Sequence, residues 1–396
     1  MYAAPPQKGR IHLGEPLNEE SRLQAIDVII VGAGPAGIGM AMELKKIGGL
    51  EFAILERHRV GESFRRWPIQ TKFITPSFYS SPFGLADLNA VDPVTSPAAF
   101  AGTQHLTGQQ YADYLLDSLT RAQIPTACDC KVLGVQPHPD GGFYLNTEQG
   151  ELFTRFLIWA CGEFQFPDLN PFPGADQCLH YAQIADWSAM EKGDYVVVGG
   201  YESGLDSAFN LIQQGHRVRL LVRRRTWDRF DELDPSLVLS PYTRDRLREI
   251  ESNERLEIIY DVNVVEVAKN DCQGFRVHAG DGRSWEVGHS PILGTGFLKG
   301  GGARQIKDLW GWDEDGHVLL SDVDESINTP GLFLVGPQVR HDKRIYCFNY
   351  KFRQRFAIIS KQIATRLQLS TNWTDGSQDG IWGPFGNSEC CEGCEC

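Results

Sequence analysis

The stretch that most constrains this chain runs from Asp27 to Glu56. Asp27–Val31 is a nearly continuous apolar run that ends in Gly32-Ala33-Gly34-Pro35-Ala36-Gly37. An amphipathic stretch, Ile38–Lys46, follows, and a second apolar run, Phe52–Leu55, closes on Glu56. This is the pattern of strand, tight turn, helix and strand, with an acid about 20 residues past the glycines. Each glycine has its own reason. Gly32 permits the turn, Gly34 leaves the backbone open to a pyrophosphate, and Gly37 lets helix and strand approach closely. Free amides at the helix start bind phosphate, and Glu56 accepts from a ribose diol. A glycine turn alone says little. Flanked by two strands and an acid, it reads as a dinucleotide site.

The totals fix the surroundings. A chain of 396 residues supports two domains, and its net charge of −13 argues against a nucleic-acid partner. No apolar run approaches the roughly 20 residues that span a bilayer. Met1–Gln24 is polar and has no apolar stretch of the kind a secretion signal needs. Ten cysteines without such a signal point to free thiols in a reducing, cytoplasmic setting. Four of them, Cys390, Cys391, Cys394 and Cys396, crowd the last seven residues.

Gly61–Pro68 and Phe73–Tyr79 are too irregular and too aromatic to form one helix. Their rings suit either a core beneath a loop or a wall against a planar heterocycle. The periodicity predicts a helix over His105–Ala122, with Tyr111, Leu115, Leu116 and Leu119 on its apolar face. Cys128–Leu133 and Phe143–Asn146 read as strands of a small antiparallel insert, which would put Cys128 and Cys130 on one strand face as core residues. Phe156–Phe164 carries an apolar strand ending in Ala160-Cys161-Gly162, and Pro167 to Gly174 then form a stiff crossover.

A second strand–turn–helix–strand unit begins at Tyr195–Val198. Its turn is Gly199-Gly200-Tyr201-Glu202-Ser203-Gly204, its helix face Leu205, Ala208, Leu211 and Ile212, and its second strand Arg217–Val222. That strand ends in Arg223-Arg224-Arg225, where an acid would accept from a 2′-hydroxyl and arginine instead pairs with a 2′-phosphate. Solvated surface arginines are the other reading. Tyr201 replaces the middle glycine, and Glu202 adds negative charge where phosphate would lie. Short strands follow at Leu256–Tyr260, Val262–Ala268 and Phe275–His278. Two further apolar strands end in small residues, at Pro291–Phe297 and Gly331–Pro337. A last helix opens within Arg344–Phe356 and runs to about Leu367, covering the site with one face and solvating its arginines on the other. Ser370–Ser388 is a polar linker.

With VGAGPAG, Ala160-Cys161-Gly162, GGYESG, Gly294-Thr295-Gly296-Phe297 and Gly331–Gly336 in place, residues 25–365 resemble the flavoproteins with two dinucleotide-binding domains. That group includes thioredoxin reductases and flavin-containing monooxygenases. Phe172-Pro173-Gly174 through His180-Tyr181 and VVVGGYESGLDSA are most similar to bacillithiol-disulfide-reductase-like enzymes. The resemblance implies an α/β fold with two Rossmann-like domains, the second inserted into the first. FAD is expected on 25–190 and 290–367, NADPH on 191–289, with a polar segment at 1–24 and a flexible cysteine-rich tail at 368–396. A homodimer is expected on the same basis. The cofactor-binding residues implied on the first unit are Gly32, Gly34, Pro35, Ala36, Gly37, Glu56, Arg57, Ser63, Phe64, Trp67, Ala160, Cys161 and Gly162. On the second they are Gly199, Gly200, Tyr201, Glu202, Ser203, Gly204, Arg223, Arg224 and Arg225, and in the later turns Gly294, Thr295, Gly296, Gly336 and Pro337.

The departures matter as much. Neither a CxxC in the second unit nor a cysteine pair after the first turn is present, and Ala36 stands where bacillithiol-type enzymes carry cysteine. The monooxygenase fingerprint is incomplete around Gly174–His180, and Pro337 stands where many relatives have aspartate. Electrons delivered to flavin therefore need another exit. Candidate catalytic thiols are Cys347, at the start of the last helix, and the tail pair or pairs among Cys390, Cys391, Cys394 and Cys396. The same four tail thiolates suit zinc, copper(I) or mercury, or have no specific role. Two functions stay open: reduction of a small-molecule or protein disulfide, and oxygenation of a small soft nucleophile.

Overall fold

A computed structural model describes residues 26–79, 86–225, 227, 234–270, 274–371 and 381–382. The first sheet is built around Ile26–Val31, which pairs in parallel with Phe52–Leu55 on one side and Gly150–Trp159 on the other. Thr126–Ala127 extends it beyond Phe52–Leu55. The long strand Gly150–Trp159 serves two partners: its first half pairs antiparallel with Phe143–Thr147, and its last three residues pair in parallel with Leu332–Leu334. Val28, Ile29 and Ile30 are fully buried, as a parallel strand covered on both faces must be.

The second sheet is all parallel, in the order Leu256–Tyr260, Arg217–Val222, Asp194–Val198, Ile292–Leu293, Leu179–His180. A three-stranded antiparallel ribbon, Val264–Lys269, Phe275–Ala279 and Ser284–Val287, lies beside it. Leu179–His180 and Ile292–Leu293 thus belong to the second sheet, which the boundaries 191–289 leave outside. The buried apolar side chains form one large cluster around the first sheet and two smaller ones around the second.

Three local expectations need correction. The helix after the aromatic stretch is Gly108–Arg121, because Thr107 and Gln110 form a reciprocal capping box at its start, and Leu116 on it is exposed. Cys128 and Cys130 do not share a strand: the strand ends at Ala127, Asp129 turns through φ +52°, and only Cys130 is buried. The last helical stretch does not solvate its arginines. Asn349–Phe352 continues through one tight turn into Phe356–Leu367. Within it Arg353 donates to the carbonyls of Asp87 (2.5 Å) and Ala90 (3.1 Å), and Arg355 pairs with the fully buried Asp324 at 3.0 Å. Desolvation lowers the Arg353 pKa to about 10, against the pull of Asp87 and the neighbouring tyrosines. These arginines pin the helix to the first unit.

Candidate functional site

The first turn shows what each glycine does. Gly32 has φ +111°, and a Cβ there would meet the Ala160 carbonyl oxygen at 2.5 Å. A Cβ on Gly37 would stand 2.0 Å from the Gly32 carbonyl oxygen, so helix and strand touch there. Gly34 is different: nothing lies within 4 Å of where its Cβ would be. The helix Pro35–Leu44 starts at that open face with no side chain capping it, leaving its first amides for a ligand. Glu56 accepts from the Ala33 amide at Oε2 (2.8 Å) and from the His58 amide at Oε1 (2.9 Å), which fixes the carboxylate beside the turn. The open backbone, uncapped helix and oriented acid fit the pyrophosphate and ribose of a dinucleotide.

A cavity of about 610 Å³ runs from this turn to the second one. Gly32, Gly34, Pro35, Ala36, Glu56, Arg57, Ser63, Phe64, Trp67, Ala160, Cys161 and Gly162 line it, as do Tyr201, Glu202, Ser203, Gly294, Thr295, Gly296, Pro337 and Cys347. Gly37, Gly199, Gly200, Gly204 and Gly336 are not on its wall. Gly204 stands behind it, where a Cβ would be 1.8 Å from the Gly199 carbonyl oxygen, and Gly336 closes against the Ala36 methyl. The aromatic stretch is both core and wall: Phe64 stacks on Phe73 (centroids 5.5 Å apart) and meets Tyr111 edge-on. Arg57 bonds Gln165, which donates to Ser63 Oγ at 3.0 Å.

Around the second turn Tyr201 and Glu202 are held by the segment Ser236–Thr243. Tyr201 has φ −113° and ψ −162°, close to the −87° and −175° of Gly34, so a side chain there costs no backbone strain. Its hydroxyl donates to the carbonyls of Val238 (2.6 Å) and Ser236 (3.2 Å). Glu202 does not stand free at the helix start. Its carboxylate accepts from the Ser240 amide (2.7 Å) and Thr243 Oγ1 (2.5 Å), while burial raises its pKa and those bonds oppose the rise. Arg223, Arg224 and Arg225 are exposed at the end of Arg217–Val222, outside the cavity, and Arg225 lies 5.3 Å over the Tyr260 ring.

The thiols differ in setting. Cys347 donates to Ser236 Oγ at 3.0 Å. Desolvation pushes its pKa up, with Glu163 and Asp234 adding to the rise and Ser236 and Lys351 pulling the other way. Burial, with Glu56 adding to it, holds Cys161 well above the ordinary thiol value, and its sulfur faces the Val31 carbonyl. Cys390, Cys391, Cys394 and Cys396 lie outside the described residues. Among the described residues no group of three or more potential ligands could hold a metal.

Sequence reasoning missed the polar residues that tie the two units together. Asp206 is bonded by Thr71 (2.7 Å), Tyr181 (2.9 Å) and Arg246 (2.5 Å), a cluster drawn from both units. Lys351 bridges to Asp234 at 2.7 Å. Glu163, on the cavity wall, accepts from Gln338. Only Glu163 carried a local signal, its place directly after Ala160-Cys161-Gly162.

Residues 29–336 match the family model of pyridine nucleotide-disulphide oxidoreductases. The chain belongs to that family of oxidoreductases. Among particular proteins it is similar to an uncharacterized CzcO-like oxidoreductase of Geobacillus kaustophilus, 28% identical over 206 residues, 49% of this chain and 56% of that one. The chain therefore spans little more than half the length of that relative. In fold it is similar to the bacillithiol disulfide reductase Bdr (YpdA) of Staphylococcus aureus, with a TM-score of 0.68 at 20% identity, covering 86% of this chain and 99% of that one. A flavin monooxygenase of Stenotrophomonas maltophilia, solved as a double mutant, has the same TM-score of 0.68 at 15% identity over 87% of this chain and 99% of that one. No helix among the described residues is long and apolar enough to cross a membrane.

Proposed function

We propose that the chain passes hydride from NADPH through FAD to a small-molecule or protein disulfide. The observation that carries this reading is one cavity joining the two nucleotide turns, with the Cys347 thiol on its wall. Bound FAD supplies the hydride chemistry. The first turn and the start of Pro35–Leu44 hold its phosphates, Glu56 its ribose, and Phe64 and Trp67 offer flat apolar surface. Ser203 and the second helix start face the nucleotide phosphates of NADPH, and Arg223, Arg224 and Arg225 pair with its 2′-phosphate. In the balance, NADPH and one proton yield two electrons, the disulfide S–S bond breaks and two thiols result. Cys347 is the thiol placed to exchange with the substrate, and Cys390, Cys391, Cys394 or Cys396 supply the second.

A second reading has its own observation. The described cysteines, Cys128, Cys130, Cys161, Cys178 and Cys347, are all free, and Ala36 leaves the first turn without a thiol. That favours a monooxygenase of a small soft nucleophile, with the tail thiols on a soft metal. The family resemblance further supports a homodimer, to be tested by light scattering, and the cysteine content a reducing cytoplasm.

An anaerobic NADPH titration of the full chain and of a chain ending at Ser370 decides between them. Flavin bleaching with about two thiols gained only in the full chain supports the disulfide reductase with its tail as exit. A gain in both that Cys347→Ser removes places the exit at Cys347. Bleaching with no thiol gained, followed by oxygen uptake, overturns the reductase reading.

A further inference from the structure

The Cys347 thiol belongs to the first unit, but its hydrogen bond goes to Ser236 of the second. Ser236 lies in the segment Asp234–Ser240, which is fastened at both ends. Toward the second turn, Tyr201 donates to the carbonyls of Ser236 and Val238, and Glu202 accepts from the Ser240 amide. Toward the first unit, Lys351 donates to Asp234 Oδ1 at 2.7 Å and to Ser236 Oγ at 3.1 Å. The Lys351 side chain is 7% exposed, so its ammonium depends on Asp234 for a counter-charge. The charged or titratable groups facing Cys347 are Lys351, Glu163, Asp234 and Tyr201, with Ser236 as its bonded partner.

We propose that Asp234–Ser240 is a latch on Cys347 that nucleotide binding at the second turn releases, Lys351 then exchanging Asp234 for the Cys347 thiolate. The inference rests on the second turn as the NADPH site and Cys347 as the site thiol. Phosphate arriving at Tyr201 and Glu202 competes with the bonds that hold Val238 and Ser240. When the segment withdraws, Asp234 leaves with it, and a buried ammonium requires another anion. Lys351 already acts on Cys347 directly as a stabilising charge, and the Ser236 hydroxyl that the two share until release leaves with the segment. The Cys347 S–H bond breaks, the proton goes to water, and no electron moves. Lys351 and Ser236 are positioning residues in this arrangement: they set when the thiol becomes nucleophilic. The two-ended fastening also explains why Tyr201 stands in place of glycine, since only a side chain can couple the turn to the segment.

The test uses the FAD-loaded full chain and oxidised NADP⁺, which binds without delivering hydride. Iodoacetamide alkylation of Cys347, followed by mass spectrometry, reads the thiolate; the S–C bond forms as iodide leaves. Saturating NADP⁺ is expected to raise the rate about tenfold, the effect of one pKa unit, and to move its pH profile toward lower pH. Asp234→Asn gives the faster rate without NADP⁺. Lys351→Met abolishes the response and Lys351→Arg retains it, a split that loss of packing alone would not produce. NADP⁺ binding by calorimetry with an unchanged or slower alkylation rate overturns the latch. If calorimetry shows no NADP⁺ binding, the cofactor reading of the second turn fails instead, and Asp234→Asn still decides whether the segment restrains Cys347. Should Lys351→Met not fold, Asp234→Asn decides in the same way.

Discussion

One methyl group separates the roles of Gly34 and Gly37. Gly34→Ala places a Cβ in open space with an extended backbone any residue adopts. The variant is expected to melt like the wild type yet bind FAD about tenfold or more weakly, the cost of crowding a close contact by about 1–3 kcal/mol. Gly37→Ala drives a Cβ into the Gly32 carbonyl and is expected to lower the melting temperature itself. Calorimetric melting beside flavin titration separates the two; equal behaviour would sink the assignment. Glu163 offers a pH test. Burial raises its pKa, against the Gln338 bond and the Arg340 charge. A carboxyl raised in the folded state loses stability as pH climbs through the ordinary carboxylate range and the unfolded chain ionises first. Glu163→Gln removes that loss, so the variant is expected to melt above wild type at about pH 8 and to converge with it near about pH 4. Equal curves at both would show Glu163 to be solvated. Tyr201→Phe removes the one hydroxyl proton shared between the Val238 and Ser236 carbonyls of the Asp234–Ser240 segment. At about 1 kcal/mol net, NADP⁺ should bind about fivefold more tightly by calorimetry; unchanged affinity would remove the competition between segment and nucleotide.

Among the elements, the last helical stretch is where pattern reading erred most. Its arginines alternate with aromatics as on a solvated face, but Arg355 meets the fully buried Asp324 and Arg353 the carbonyls of Asp87 and Ala90. Arg355→Ala leaves the buried Asp324 carboxylate with His341 but without its guanidinium, and breaking a buried pair in this way typically costs about 3–5 kcal/mol. The expected result is a large loss in denaturant midpoint; a surface arginine would shift it little. Periodicity could not see this, because Asp324 and Asp87 lie far away in sequence. The first strand–turn–helix–strand unit, by contrast, was legible in its order, although its helix Pro35–Leu44 is buried from Ala36 to Leu44 rather than amphipathic. Its hydrogen bonds are local or between neighbouring strands, and Gly37 answers to Gly32 within the unit, while Gly32 answers to Ala160 outside it. The helix Gly108–Arg121 falls between: its apolar face was readable, while Thr107 and Gln110 set its start through a cap rather than through hydrophobic spacing.

In the whole molecule the two sheets are not cut where the chain composition changes. Leu179–His180 and Ile292–Leu293 join the second sheet through parallel pairing with partners that a sequence boundary at 191 and 289 separates from them. The Thr71–Tyr181–Asp206–Arg246 cluster and the Lys351–Asp234 bridge then hold that sheet against the first across the cavity. By itself the sequence determined the two nucleotide turns, the strands and helices that carry them, and the acid and arginines at their ends. Those features follow from side-chain period, glycine geometry and charge over about 30 residues. Only the tertiary structure decided which polar groups face one another across the cavity, that Glu202 is turned into Ser240 and Thr243, and that Cys347 is bonded to Ser236. Each of these depends on desolvation and on partners distant in the chain, which a local pattern cannot encode.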